Sequence, residues 1–441
     1  MVRRALAVAV LIAAALTVAA PAESATTCAG HRVTMSFGPA DNRISGTPRA
    51  DVIYAGAGDD IVDGGRGNDI ICGGNGADIL RGNSGNDALH GELDALRSER
   101  IFIDACAFPP PPDYCVYTHL EGDRLRGGPG NDRLVPGYDT RETTEPREYG
   151  GSSFPPWGHL PTYPSNGFDE LRWDTAPRGV TIDLTRKVAT GEGTDTIVAG
   201  GRYRVFASAY DDVVVGSQGP DFVEAGTGSD RVTARGGNDY VEVDGTGSRL
   251  RDADAAYGGS GNDYLRSYTG PDRLHGGEGD DKLLDQSRTD SPDQMYGGAG
   301  LDVLADLVSR VAGQVYDGGG DAEDLFYPFV GSSATWNMTS GSMVFPPSGA
   351  APAVSVQAPG FHQLRLAANG APSGWVIAGT AQADSVYAPG RFDGQGGDDS
   401  YGGGAGVDTF NGGQGTDTYA NDVDGANTCT SVEVPNGACA P

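Results

Sequence analysis

Twenty aspartates stand at one fixed place in a nine-residue repeat, and carboxylates held at a fixed spacing suit the binding of hard cations. Asp51, Asp60, Asp69, Asp78 and Asp87 are each nine apart, as are Asp212, Asp221, Asp230 and Asp239. Asp263, Asp272 and Asp281 keep the spacing, and so do Asp399, Asp408 and Asp417. The clearest copies read Gly64-Gly65-Arg66-Gly67-Asn68-Asp69-Ile70-Ile71-Cys72 and Gly276-Gly277-Glu278-Gly279-Asp280-Asp281-Lys282-Leu283-Leu284. Counted from the opening glycine, the aspartate is position 6, which leaves position 8 as an independent observation. It is Ile53, Val62, Ile71, Leu80 and Leu89 in the first run, Val214, Val223, Val232 and Val241 in another, and Tyr401, Phe410 and Tyr419 near the end. Every copy carries an apolar or aromatic residue there, in a chain that is only 38% hydrophobic. Chance does not build such a column, so the register is real.

The geometry needed to position these carboxylates follows from the pattern. Residues 7 to 9 form a short strand, so position 8 points inward while 7 and 9 point outward. Strands stacked about 4.8 Å apart leave a core column of Ile, Leu and Val with no room for bulky neighbours. The glycines at positions 1, 2 and 4 answer a turn that needs positive φ and close backbone approach. With two nonapeptides per turn, loop n stacks on loop n+2. Carbonyls and position-6 carboxylates then face one another as about six oxygen ligands, which suits Ca²⁺ better than the smaller, octahedral Mg²⁺.

These copies resemble the G-G-x-G-x-D-x-U-x nonapeptide of the RTX (haemolysin-type) calcium-binding repeat family. The resemblance implies an all-β fold: a parallel β-roll or β-solenoid in several blocks, separated by β-rich spacers and loop insertions. It implies about five to ten calcium ions shared between stacked loops. The expected carboxylate ligands are Asp60, Asp69, Asp78, Asp87, Asp132, Asp221, Asp230, Asp239, Asp263, Asp272, Asp281, Asp302, Asp399, Asp408 and Asp417. Backbone carbonyls of Gly64, Gly65, Gly67, Gly73, Gly74, Gly76, Gly276, Gly277 and Gly279 are expected to complete the shells. Copies that open a block replace the position-4 glycine by Arg49, Glu121, Tyr210 or Gln382, and Ser291 does so inside a block. Such copies are expected to act as caps, because terminal repeats face solvent on one side.

Composition narrows the partners. Sixty acidic against 31 basic residues give a net charge of −29, with no basic stripe to suit nucleic acid. Arg3-Arg4, the apolar run from Ala5 to Ala20 and then Pro21-Ala22 read as an export signal, residues 1–22. No other segment is apolar enough to span a membrane after its cleavage. The six cysteines of an exported chain imply disulfides in one of fifteen pairings; loop lengths favour Cys106–Cys115 and Cys429–Cys439, and Cys28–Cys72 would then pin the N-terminal segment to the third repeat. No C-x-x-C spacing suggests zinc.

The expected organisation is an N-terminal roll over 23–137 with a Cys/Pro-rich insertion at 91–117, then an insertion and strand-rich spacer over 138–206. Central roll blocks follow over 207–326, a second spacer over 327–378, and a C-terminal block with a disulfide-bearing tail over 379–441. Residues 170–185 align without gaps on 324–339, so a module of spacer plus roll is used at least twice.

No catalytic constellation is legible. The histidines at 31, 90, 119, 159, 275 and 362 are isolated in sequence and form no H-E-x-x-H, and no G-x-S-x-G elbow occurs. His90 and His275 fall at position 9 and are expected on the exposed surface. Acidic pairs for glycosidase chemistry cannot be read from spacing in so acidic a background. Tyr138, Tyr149, Trp157, Tyr163 and Trp173 could stack on a sugar or a partner, but such aromatics more often pin their own loop down. The leading reading is an exported, non-enzymatic calcium-binding protein with a structural, surface or adhesive role and a cell-surface or polysaccharide partner. The alternative is a secreted hydrolase or lyase, polysaccharide- or peptide-directed, scaffolded by the same repeats.

Overall fold

A computed structural model describes residues 27–94, 98–102, 116–135, 138–139, 168–198, 203–244, 252–286, 291–306, 312, 314–319, 324–328, 334–345, 354–365, 375–388, 390–402, 408–420, 427–430, 432, 434–435 and 439–440. The export signal, Cys106, Cys115 and most of the aromatic insertion therefore lie outside the described residues. The described residues contain no helix. They form a parallel β-solenoid of about 14 turns, as the sequence implied.

Alternate copies feed two facing sheets of 18 and 23 strands. In one sheet Ile53 lies beside Ile71 and Ile71 beside Leu89; in the other Val62 lies beside Leu80. Each step is 18 residues, two nonapeptides per turn. The strands are longer than positions 7 to 9 in the glycine-rich copies, where Val52–Ala57, Ile61–Arg66 and Ile70–Asn75 run on through position 3. Three-residue strands such as Val213–Val215 and Phe222–Glu224 keep the shorter expected length.

Position 8 is buried in every copy, from Ile53 and Val62 to Phe410 and Tyr419, and these residues line one continuous core. The expected all-aliphatic column holds only for the first part of the solenoid. Towards the C-terminus the core contains Phe326, Trp336, Phe361, Trp375, Phe392, Tyr401, Phe410 and Tyr419, all almost fully enclosed. Bulky rings fit because in-register parallel strands set like residues one strand spacing apart, which is also a ring-stacking distance. Phe392 and Phe410 lie 5.5 Å apart with their planes 3° from parallel. A second departure sits on the outer face, where Phe222, Tyr240 and Tyr264 at position 7 are buried in a stacked column of their own.

The spacers add strands to the same stack. Thr181–Asp183, Val188–Thr190 and Thr194–Ile197 form an antiparallel meander inside the otherwise parallel sheet. Its last strand pairs back onto Arg133–Val135 and its first pairs forward onto Val213–Val215. The second spacer repeats this with Thr335–Asn337, Ser342–Phe345 and Val354–Gln357, reaching back to Val315–Asp317 and forward to Trp375–Ala378. The internal sequence duplication is thus a duplication of topology, with Ile182 and Trp336 at equivalent buried places. At the N-terminus the Cys28–Cys72 disulfide ties the hairpin of Thr27–Cys28 and His31–Arg32 to the solenoid. Cys429 is also disulfide-bonded.

Candidate metal centre

The loops between strands bring the position-6 aspartates into two ladders. The backbone N–H of one aspartate donates to Oδ1 of the aspartate one turn on: Asp51 to Asp69 at 2.8 Å, Asp60 to Asp78 at 2.8 Å and Asp69 to Asp87 at 2.8 Å. The same bond continues from Asp221 to Asp239, Asp239 to Asp263, Asp263 to Asp281 and Asp281 to Asp302. It joins Asp384, Asp399 and Asp417 in the last block, while Asp408 Oδ1 accepts from the Gly390 N–H. It also crosses the first insertion, from Asp87 to Asp132. All fifteen expected carboxylate ligands are buried.

One bond per carboxylate leaves the second oxygen to be accounted for. Oδ2 of Asp60, Asp69, Asp87, Asp132, Asp230, Asp239, Asp263, Asp281 and Asp399 is buried and accepts no hydrogen bond. An unsatisfied buried carboxylate oxygen is expensive, so a native fold that repeats one so often requires a partner for it. The surroundings show what kind. A Cβ built on Gly276 would stand 2.6 Å from the Gly297 carbonyl oxygen of the next turn and closer still to Asp281 Oδ2. The same convergence of carboxylate and carbonyl is found at Gly258, Gly297 and Gly394. Acceptors gathered on one point with no donor among them fit a hard cation with oxygen ligands, and calcium's flexible shell suits such a set.

Protonation tells the same story. Burial, aided by neighbouring aspartates, pushes Asp69 up to about 6, Asp132 to about 7, and Asp230, Asp239 and Asp281 to about 8. Burial alone takes Asp263 to about 7. Without a cation these groups hold protons at pH values where an exposed aspartate is fully ionised.

Among the described residues, four copies solve the problem internally. Thr47, Ser208, Ser217 and Thr380 occupy position 2, and the backbone N–H of each donates to Oδ2 of its own aspartate, Asp51, Asp212, Asp221 or Asp384. Their hydroxyls add a second bond to the same carboxylates. Each hydroxyl also accepts the N–H of position 4, held by Arg49, Tyr210, Gly219 or Gln382. Three of these turns therefore work without the position-4 glycine. Position 2 decides the outcome through its backbone: Gly74 has φ 111°, and Asn83, Arg235 and Gln395 are held at 71°, 84° and 71°, whereas none of the four hydroxyl residues has a positive φ. The Asp384 carboxylate has a further partner in His362 Nδ1 at 2.9 Å. His362, isolated in sequence, lies in a loop whose Leu364 pairs with both Phe326 and Val386, so it takes position 6 in place of an aspartate.

Three ladder members were missed in the sequence. Asp195 accepts from the Asp132 N–H, Asp254 from Asp230 and Asp324 from Asp302. A signal was present: Gly191, Gly193 and Ile197 flank Asp195 at positions 2, 4 and 8, and Asp254 precedes Asp263 by nine. Trp173, considered as a stacking platform, is buried and donates its indole N–H to Asp195 Oδ2 at 2.9 Å. Tyr138 lies in the short strand Tyr138–Asp139, and Tyr149, Trp157 and Tyr163 lie outside the described residues. His90 and His275 are half-buried and not exposed as expected; His275 is stacked between Tyr257 and Tyr296 at 5.7 and 4.6 Å.

A parallel solenoid whose turns are joined by stacked, carboxylate-bearing loops is a β-roll built for cations. A family model for the RTX calcium-binding nonapeptide repeat (4 copies) matches residues 38–71, 73–95, 121–137, 206–241 and 257–284. The chain accordingly carries RTX calcium-binding nonapeptide repeats, and these with the β-solenoid fit a calcium-binding repeat protein. The matched stretches end at residue 284, yet the aspartate ladder runs on through Asp302, Asp324 and the block from Asp384 to Asp417. No curated protein matches the chain.

Proposed function

We propose that this is an exported, non-enzymatic protein whose rolls fold when calcium enters the stacked loops, serving a structural, surface or adhesive role. Proteins with these repeats are usually exported. The observation that carries the reading is the row of buried, unaccepted Oδ2 atoms facing carbonyls of the next turn. Calcium bound there would supply positive charge to both oxygen types at once. The aspartates from Asp60 to Asp87, from Asp230 to Asp302, and Asp132, Asp399, Asp408 and Asp417 would hold it, with the loop carbonyls of Gly64 to Gly67, Gly73 to Gly76 and Gly276 to Gly279. Asp221, already satisfied by Ser217, is the one expected ligand left out of that set.

Because the ions bind only the stacked form, their binding energy becomes folding energy. A chain of charge −29 would then cross the export route unfolded and assemble where calcium is plentiful. The test is a calcium titration followed by far-UV circular dichroism, beside turnover assays on polysaccharide and peptide panels. A rise in β signal without turnover is the expected result. Calcium-stimulated hydrolysis or elimination on either panel would transfer the reading to the hydrolase or lyase class.

A further inference from the structure

Asp244 belongs to none of the nonapeptide positions that carry aspartate. It stands at loop position 2, where the repeat has glycine, just before residues outside the described set. The fold places it between two turns of the ladder, beside Asp254 of its own loop and Asp272 of the next. One carboxylate oxygen from each of the three lies within 4.8 Å of the other two. All three are almost completely buried, at 1%, 2% and 2% exposure.

The second observation concerns unmet acceptors. Asp254 Oδ1 accepts from the Asp230 N–H at 2.6 Å, and Asp272 Oδ1 accepts from the Asp254 N–H at 3.0 Å. Oδ2 of each is buried and takes no hydrogen bond from an N–H or hydroxyl donor, while the Asp272 carboxylate lies close enough to Asp244 to share a proton with it when no cation is bound. Asp244 is anchored from the far side, its Oδ2 taking the Tyr268 N–H at 2.7 Å and the Thr269 N–H at 3.2 Å. Three carboxylates are thus fixed around one point by bonds made elsewhere. Oxygens within 4.8 Å of one another can all ligate one ion, and a set of three carboxylates with no nitrogen or sulfur donor suits calcium or a similar-sized trivalent ion.

We propose that Asp244, Asp254 and Asp272 form a three-carboxylate cation site that fills before the ordinary loops. It rests on the reading that the ladder loops bind calcium. An added carboxylate raises the charge at the site, which is how oxygen-ligand sites gain affinity, and it favours a trivalent probe most. Its place in the middle of the central roll would let the first ion seed stacking in both directions.

The experiment is a Tb³⁺ titration of the full chain, excited through tyrosine, with calcium competition. The first equivalent should give sensitised emission, because Tyr268 donates its backbone N–H to the site. Asp244→Gly, which restores the repeat glycine, and Asp244→Asn should each weaken that equivalent about tenfold or more. Both variants should keep the β signal at saturating calcium. Unchanged affinity of the first equivalent in both variants would overturn the proposal while leaving the calcium reading intact. An unaltered chain that binds neither Tb³⁺ nor calcium would remove both.

Discussion

The loops around Asp51, Asp212, Asp221 and Asp384 and those around Asp69, Asp230 and Asp281 occupy the same place in the repeat but have opposite chemistry. In the first group a position-2 hydroxyl residue turns its N–H onto the carboxylate, and the loop is complete as a protein. In the second group position 2 is left-handed, its N–H points elsewhere, and an oxygen is left bare in the interior. Three of the self-satisfied loops, around Asp51, Asp212 and Asp384, open blocks, the fourth follows directly at Asp221, and the bare ones fill the interiors. Ends can therefore hold shape without ions, while the middle cannot, and a single side chain per loop sets which kind it is.

The largest effect that would break this comparison is calcium removal. In excess chelator most of the far-UV β signal should vanish, because bare loops dominate the stack and their carboxylates repel at close spacing. Full retention of the signal would mean that the bare oxygens need no cation.

Acid should partly replace the ion. The bare carboxylates have folded values raised by burial, Asp69 to about 6 and Asp230, Asp239 and Asp281 to about 8, above the usual carboxylate range. A raised folded value favours the ion-free roll below the unfolded value, and that advantage is lost as pH climbs through about 6 to 8. Chelated protein should thus gain β signal on acidification from about pH 8 to 4, and calcium affinity should fall over the same range. Dichroism across pH at fixed chelator checks the sign; a loss of β signal on acidification would contradict it.

Single sites sharpen the contrast. Asp69→Asn should remove about two bound ions, since Asp69 lies between turns on both sides. Asp384→Asn should remove none, because Thr380 and His362 already satisfy that carboxylate. Equilibrium dialysis would show equal losses if the distinction were empty. A smaller gain is expected from Ser217→Gly. It leaves Gly216, Gly219 and Asp221 in place, makes the full glycine pattern and should add about one ion. Unchanged stoichiometry would show that position 2 is not the determinant.

The inward column and the loop glycines were legible because a strand's two-residue alternation and a turn's need for positive φ act within nine residues. The choice between bare and satisfied carboxylates was equally local but was hidden in Thr47 and Ser217, because a hydroxyl residue there is also an ordinary turn former. Asp195 and Asp324 escaped because insertions break the nine-residue count before them, and only the three-dimensional stack restores it. The meanders were legible as alternating apolar strands, but not their reversed order in the sheet. That order depends on which earlier turn the last strand meets. Asp244 carried no sequence signal at all, for its partners are brought to it by the fold.

The reversed meander has a consequence for the time course of assembly. Within a block each aspartate reaches its partner 18 residues away, but Asp132 must find Asp195 across 63 residues. Closing the longer loop costs about 1 kcal/mol more in chain entropy, and contacts of large sequence separation form late. Growth of the stack should therefore run quickly inside blocks and pause at the junction, where two finished pieces must meet. Pulse-labelled exchange during calcium-triggered refolding should protect the Asp69 and Asp263 amides before that of Asp132; simultaneous protection would mean that the chain assembles as one unit.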